Sequence, residues 1–294
     1  MVRFHVDTWD PAYGSSVDAA ETASSTARID PEVEVPASRW APIPATAVPR
    51  PAAILFVDGI RRVDARVWIE EPLLDPDTGE VLGTQTGMGL CASYGSGVVC
   101  SCQRGAHLLS ALTRRGLFTT VAGAEDVTTT AGTYRAHHTG DRGEENPALL
   151  LSGALQQHLT DLEIIAAAEA RNGLRDHDVE DSLVVVDGPL RGRTSLADTI
   201  GYIKSHRTTY LPPALHAVIA RLGAGERTPI FAMGTSWDRL SWYLRLPSAD
   251  GAPWVGVVRV ECAAELDPQA AVRLANLSQA VLPRYASTEY KDHR

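Results

Sequence analysis

The sequence predicts an α/β fold: a mixed sheet flanked by helices, with an irregular N-terminal arm. Three observations lead there. Two apolar runs, ILFVDG at 54–59 and LVVVDG at 183–188, read as buried strands ending in Asp-Gly. Strand-like segments with turn residues follow the first run. A long amphipathic helix and then alternating strands and helices lead to and beyond the second.

Residues 1–50 are rich in Ala, Ser, Thr and Pro with little periodicity, and are expected to form an extended or partly disordered arm. Residues 51–294 are expected to form one folded domain. Its first strand should close at Asp58-Gly59. The segment 63–70 alternates Val63, Ala65, Val67 and Ile69 with Asp64, Arg66, Trp68 and Glu70, the period of a half-buried strand. Pro76, Asp77 and Gly79 mark a turn before a third strand over 89–101. Residues 123–147, Gly/Thr-rich and containing His137 and His138, read as a long loop with exposed histidines.

A helix over 147–171 carries Leu151, Leu155, Leu159, Leu162 and Ile165 at three- and four-residue steps, and Asn172-Gly173 supplies its stop. After the strand at 182–188 come a short helix near 195–200 and a strand at 201–205. A helix starting at Pro212-Pro213, three strands and a last helix over 267–280 follow.

At 44% hydrophobic and 21% charged residues, the chain can bury a sizeable core. No run of about 18 apolar residues predicts a membrane span, and the first residues lack a secretory pattern, so a cytoplasmic protein is expected. Cys91, Cys100, Cys102 and Cys262 form no Cys-x-x-Cys pair and have no histidine at zinc spacing, which reads as inert thiols. The formal net charge of −9 opposes nucleic-acid binding in bulk. Distribution offsets it: Arg61, Arg62 and Arg66 crowd one Asp-Gly motif, and Arg191, Arg193, Lys204, His206 and Arg207 follow the other.

A single Asp-Gly at a strand end can be only a turn. Two such ends, separated by a helix, fit a set of carboxylates converging from different elements. Phosphodiester hydrolysis with two divalent ions requires that set, and Mg²⁺ or Mn²⁺ prefers such hard oxygen ligands. Asp58 and Asp187 are the first candidates. Glu163 or Glu169, on the intervening helix, is the third, and Glu163 lies nearer the apolar stripe. Tyr94 and Trp242 read as packing aromatics.

Six segments in order resemble the NurA nuclease family: FVDGIRR, the helix with Glu163, VVVDGPLRGR, GYIKSHRTTYLP, SWYLRLP with PWVGVVRVE, and YASTEYKDH. The likeness spans residues 52–293. It implies an RNase H-like core that cuts single- and double-stranded DNA with Mn²⁺ (or Mg²⁺). It also implies a homodimer working with a HerA-type hexameric ATPase in DNA repair or antiphage defence. By position it implies metal ligation by Asp58, Glu163, Asp187 and His293, and catalytic roles for Lys204 and Tyr285. Arg61, Arg62, Arg191 and Arg207 become expected DNA contacts. Two departures stand out: Ala286 follows Tyr285 where the family writes proline, and only Arg294 follows His293.

Two other readings share these features. One is a NurA-like scaffold that binds DNA and the ATPase without cutting, in keeping with the acidic balance. The other is an actin-like kinase, which also uses Asp-Gly strand ends but needs a phosphate loop; Gly95–Gly97 is too short for one. No Walker motif is present, so ATP-driven movement requires a partner.

Overall fold

The computed structural model describes residues 23–140, 146–177, 179–191, 196–204, 206, 208–247 and 254–286. The strands are β1 (Ala23–Ser24), β2 (Arg28–Asp30), β3 (Ala53–Leu74), β4 (Val81–Cys102), β5 (Gly105–Thr119), β6 (Val127–Thr129) and β7 (Gly132–His138). The helix α1 (Pro147–Arg175) precedes β8 (Ser182–Asp187), β9 (Thr199–Ile203) and β10 (Thr208–Thr209). Then come α2 (Pro213–Ala220), β11 (Phe231–Gly234), β12 (Asp238–Arg245), β13 (Val257–Ala263) and α3 (Pro268–Val281). The chain divides into two units, 1–54 with 181–294, and 55–180.

In the 55–180 unit the strand order is β3-β4-β5-β7-β6. The β4 and β5 strands form a long antiparallel hairpin from Gly89↔Thr119 to Cys102↔Gly105, with one register shift at Val98/Val99, while β5 and β7 run parallel. Leu151, Leu155, Leu159 and Leu162 of α1 pack against Leu90, Ala92, Tyr94 and Phe118, closing this unit's core. The Asn146 side chain accepts from the Ala148 amide at 3.0 Å and starts the helix, with Pro147 in its first turn.

In the other unit the order is β2-β11-β12-β13-β9-β8. The β8 and β9 strands are parallel and the remaining named pairs antiparallel, so the sheet is mixed. Trp40, Phe231, Met233, Tyr243 and Val257 form its core with Val218 and Ile219 of α2. Asp267 caps α3, accepting from the amides of Gln269 and Ala270. Within the stretch read as an arm, β2 pairs with β11, and Glu34 bonds both terminal nitrogens of the buried Arg227 at 2.7 and 2.8 Å.

Four local expectations change. The first strand does not stop at Asp58-Gly59; β3 continues to Leu74, because a paired neighbour extends the ladder past a residue pair that would favour a turn in isolation. The span 123–147 contains β6 and β7 rather than only loop. His137, half-buried, stacks on Phe118 with centroids 5.1 Å apart. The helix α1 runs through Gly173 to Arg175 because Leu174 is buried there, and packing outweighs the weak helix propensity of glycine. Residues 199–200 open β9 instead of closing a short helix. Among the described residues, no helix is long and apolar enough to cross a membrane.

Candidate active site

The two Asp-Gly motifs use their glycines differently. Gly188 has φ +99°, a left-handed conformation that glycine adopts cheaply, and it turns the chain directly after Asp187. Gly59 lies inside the extended β3. A Cβ at position 59 would strike the Glu163 carboxylate and come within 2.8 Å of Leu159 Cδ1. Gly59 therefore serves close approach: it lets the helix carboxylate settle against the strand immediately after Asp58.

That contact distinguishes the two helix glutamates. Glu163 is buried, at 4% exposure, whereas Glu169 is exposed. Asp58 itself is exposed, and its Oδ1 accepts from the Gly59 amide at 2.8 Å. Its backbone carbonyl accepts from the Ser96 hydroxyl of β4 at 3.3 Å. The 55–180 unit thus presents one open carboxylate and one buried carboxylate on either side of a residue without a side chain.

Gly59→Ala isolates this geometry. The colliding atoms are mostly the ends of side chains, so the fold should yield at small cost while the Glu163 carboxylate moves. A displacement near 1 Å in a catalytic group costs on the order of 100-fold in rate. For the carboxylate chemistry expected from the sequence, turnover with added Mn²⁺, measured beside a thermal melt, checks this. Unchanged turnover in a folded variant would remove Glu163 from the site.

Arginines gather beside these carboxylates in the same unit. Arg61 and Arg62 of β3, with Arg114 and Arg115 of β5, line a groove of about 320 Å³ floored by Ser93, Tyr94 and Gly95 of β4. Arg115 is opposite Ser93 and Arg114 opposite Tyr94 in the hairpin register. Arg62 pairs with Asp64 at 2.7 Å, and Arg61 Nη1 donates weakly to the Ser152 carbonyl at 3.5 Å. Sequence reasoning missed Arg114 and Arg115. Their signal was the Arg-Arg pair in a strand-like run, but only the hairpin register reveals which strand faces them.

In the other unit, Lys204 Nζ donates to Asp187 Oδ2 at 2.6 Å, with side chains 59% and 32% exposed. The pairing follows from the sheet, since Asp187 stands opposite Tyr202 in the parallel β8/β9 register, two residues before the lysine. Lys204 Nζ also lies 5.9 Å from the Tyr202 ring centroid. Burial, and secondarily the Asp187 charge, pushes the Tyr202 hydroxyl above the usual tyrosine range.

A buried network holds the turn after Asp187. Glu261 of β13, fully buried, accepts from the Leu190 amide at 2.7 Å and from Arg259 Nη1 at 2.8 Å. Arg239 Nε approaches the same carboxylate at 3.3 Å but without hydrogen-bond alignment. Gly201 permits this packing: a Cβ there would lie 2.8 Å from the Gly188 carbonyl oxygen and 3.0 Å from Glu261 Cγ. The sequence offered one hint, a glutamate two positions from an arginine inside an otherwise apolar strand.

Two of the remaining expected site residues are described. Arg191 is exposed beyond the Gly188 turn, and Tyr285 ends a short 3-10 turn after α3 with 46% exposure. Arg207 and His293 lie outside the described residues.

No protein-family model matches the sequence. No curated protein matches it either. Among solved structures it is similar to the NurA nuclease from Sulfolobus solfataricus, at 12% sequence identity and a TM-score of 0.40, covering 85% of this chain and 78% of that one.

Proposed function

We propose that the protein is a metal-dependent deoxyribonuclease of the NurA type, acting on single- and double-stranded DNA. The observation that carries this reading is the 55–180 unit itself, where Gly59, next to Asp58, lets Glu163 pack against β3, and four arginines line a groove in the same unit. Carboxylate oxygens fit a hard divalent cation, Mn²⁺ or Mg²⁺. Asp58 and Glu163 would hold it, with Asp187 and His293 as the further ligands implied by the sequence resemblance. Bound there, the metal would supply an activated water and neutralise charge on the scissile phosphate.

The chain's own residues have separable tasks. Arginine guanidinium groups match phosphate oxygens in planar, two-pronged fashion, so Arg61, Arg62, Arg114 and Arg115 would grip the DNA backbone without reading sequence. Arg191 and Arg207 would extend that grip. Lys204 pairs with Asp187, and the ammonium of its exposed side chain can hold the scissile phosphate as negative charge develops. Tyr285 is assigned to the reaction by its motif position. The sequence resemblance further supports a homodimer fed by a HerA-type hexameric ATPase, and the lack of a Walker motif is consistent with a separate motor.

The test is incubation of purified protein with labelled single- and double-stranded DNA, with and without Mn²⁺. Metal-dependent shortening of the label is expected. The short Lys204–Asp187 pair favours a second reading, a scaffold that binds DNA with one carboxylate already satisfied by protein. Retained binding with no cleavage at any manganese concentration would select that reading.

The groove makes its own prediction. Each duplex phosphate contact contributes roughly 0.9 to the slope of log affinity against log salt. Replacing Arg114 and Arg115 with alanine should therefore lower that slope by about 2. A salt titration of DNA binding that leaves the slope unchanged would move the DNA path off this groove.

A further inference from the structure

The β4–β5 hairpin brings together three side chains that the proposed nuclease chemistry does not use: Cys100, Cys102 and His107. Each offers one ligand atom, and these atoms all lie within 4.8 Å of one another. From this cluster we infer a second metal site, specific for a thiolate-preferring cation and best suited to zinc(II).

Strand geometry explains the cluster. Cys100 and Cys102 are two residues apart beyond the register shift, so both point to the same face of β4. His107 stands directly opposite Cys100 on β5, where cross-strand side chains are nearest neighbours. The reversal is tight: Cys102 pairs with Gly105 across only Gln103 and Arg104, and Gly105 has φ +92°, which glycine adopts without strain. Linear spacing conceals the site because the histidine reaches the thiols across the hairpin.

The donor set selects the ion. Two thiolates and an imidazole suit zinc and discriminate against the hard Mn²⁺ or Mg²⁺ favoured by carboxylates. Zinc–sulfur bonds of about 2.3 Å place tetrahedral ligands about 3.8 Å apart. A contraction near 1 Å from the present spacing suffices, within reach of small side-chain rotations.

Outer contacts are already in place. The Arg104 amide donates to Cys102 Sγ at 3.4 Å, an interaction that favours a thiolate. His107 Nδ1 lies 3.4 Å from the Gly105 carbonyl oxygen, and a proton held there leaves Nε2 as the lone-pair nitrogen. Cys100 is buried, whereas Cys102 and His107 are half-buried, so the ion has a path from solvent. Three protein ligands leave a fourth tetrahedral position for water. Binding deprotonates both thiols, and the two protons pass to solvent as the two sulfur–metal bonds form.

The test uses the full chain, stripped of metal and kept reduced by a phosphine, and titrates it with Co²⁺ as the spectroscopic probe. One equivalent should produce a thiolate-to-cobalt charge-transfer band with the visible bands of a tetrahedral ion, and Zn²⁺ should displace it. Cys102→Ser and His107→Gln, both at half-exposed positions, should each weaken binding at least about 10-fold, the lower end of what even an outer contact costs a metal site. Absence of the charge-transfer band in the folded wild type, or its persistence at full affinity in both variants, would overturn the assignment.

Discussion

Asp58→Asn and Asp187→Asn should each abolish manganese-dependent cleavage while leaving a folded protein. Metal stabilisation of phosphoryl charge is worth several kcal/mol. At about 1.36 kcal/mol per decade, losing a ligand costs roughly a thousand-fold in turnover. The fold should tolerate both changes. Asp58 is exposed, and its carboxylate accepts from its neighbour's amide. Asp187 loses an ion pair with a largely exposed lysine, and such pairs contribute about 0–1 kcal/mol. Turnover at matched metal concentration, measured beside a thermal melt, separates chemistry from folding. Cleavage at the wild-type rate by either variant would end the carboxylate assignment at that position.

Glu261→Gln should act in the opposite way, through stability. Its carboxylate is fully buried between Arg239 and Arg259, whose side chains are only 5% and 7% exposed. Removing the negative charge leaves two guanidinium groups in a low-dielectric interior without their anion. Breaking a buried pair in this manner costs about 3–5 kcal/mol. Burial already lowers the Arg239 pKa, with the Glu261 charge opposing that shift, so the variant removes the opposing influence. A denaturant midpoint within error of wild type would show that water reaches these groups. A triple variant, Arg239→Met with Arg259→Met and Glu261→Leu, should recover most of the loss, because well-packed apolar replacements often match a buried ion network. The recovered fold would still lack the Glu261 hydrogen bond that holds the Leu190 amide. Weak cleavage in a stable triple variant would identify the network as a positioning device for the Asp187 turn.

Much of the local structure was legible in the linear chain. The apolar run at 183–186 and the valine-rich segment at 257–262 became strands, and the leucine spacing in 151–162 became the buried face of α1. These are signals of period and burial, which depend on near neighbours. Turn chemistry was equally plain in 75–79, where Asp75 accepts from the amides of Asp77 and Thr78 and Gly79 adopts φ +72°. Both Asp-Gly motifs could also be named without coordinates.

Tertiary structure decided what those motifs mean. Identical dipeptides serve a turn at Gly188 and a close approach at Gly59, and only the presence of Glu163 against β3 distinguishes them. Glu163 already lies nearer the apolar stripe of the helix than Glu169, but only the fold seats it against Gly59 and leaves Glu169 exposed. Arg114 and Arg115 join Arg61 and Arg62 across the width of β4, more than 50 positions away in sequence. His107 meets its cysteines for the same reason. Sequence determines the period and character of each segment because those are set by adjacent residues. Register, burial and cross-strand pairing are set by which distant segment fills the space opposite, and that information exists only once the chain has folded.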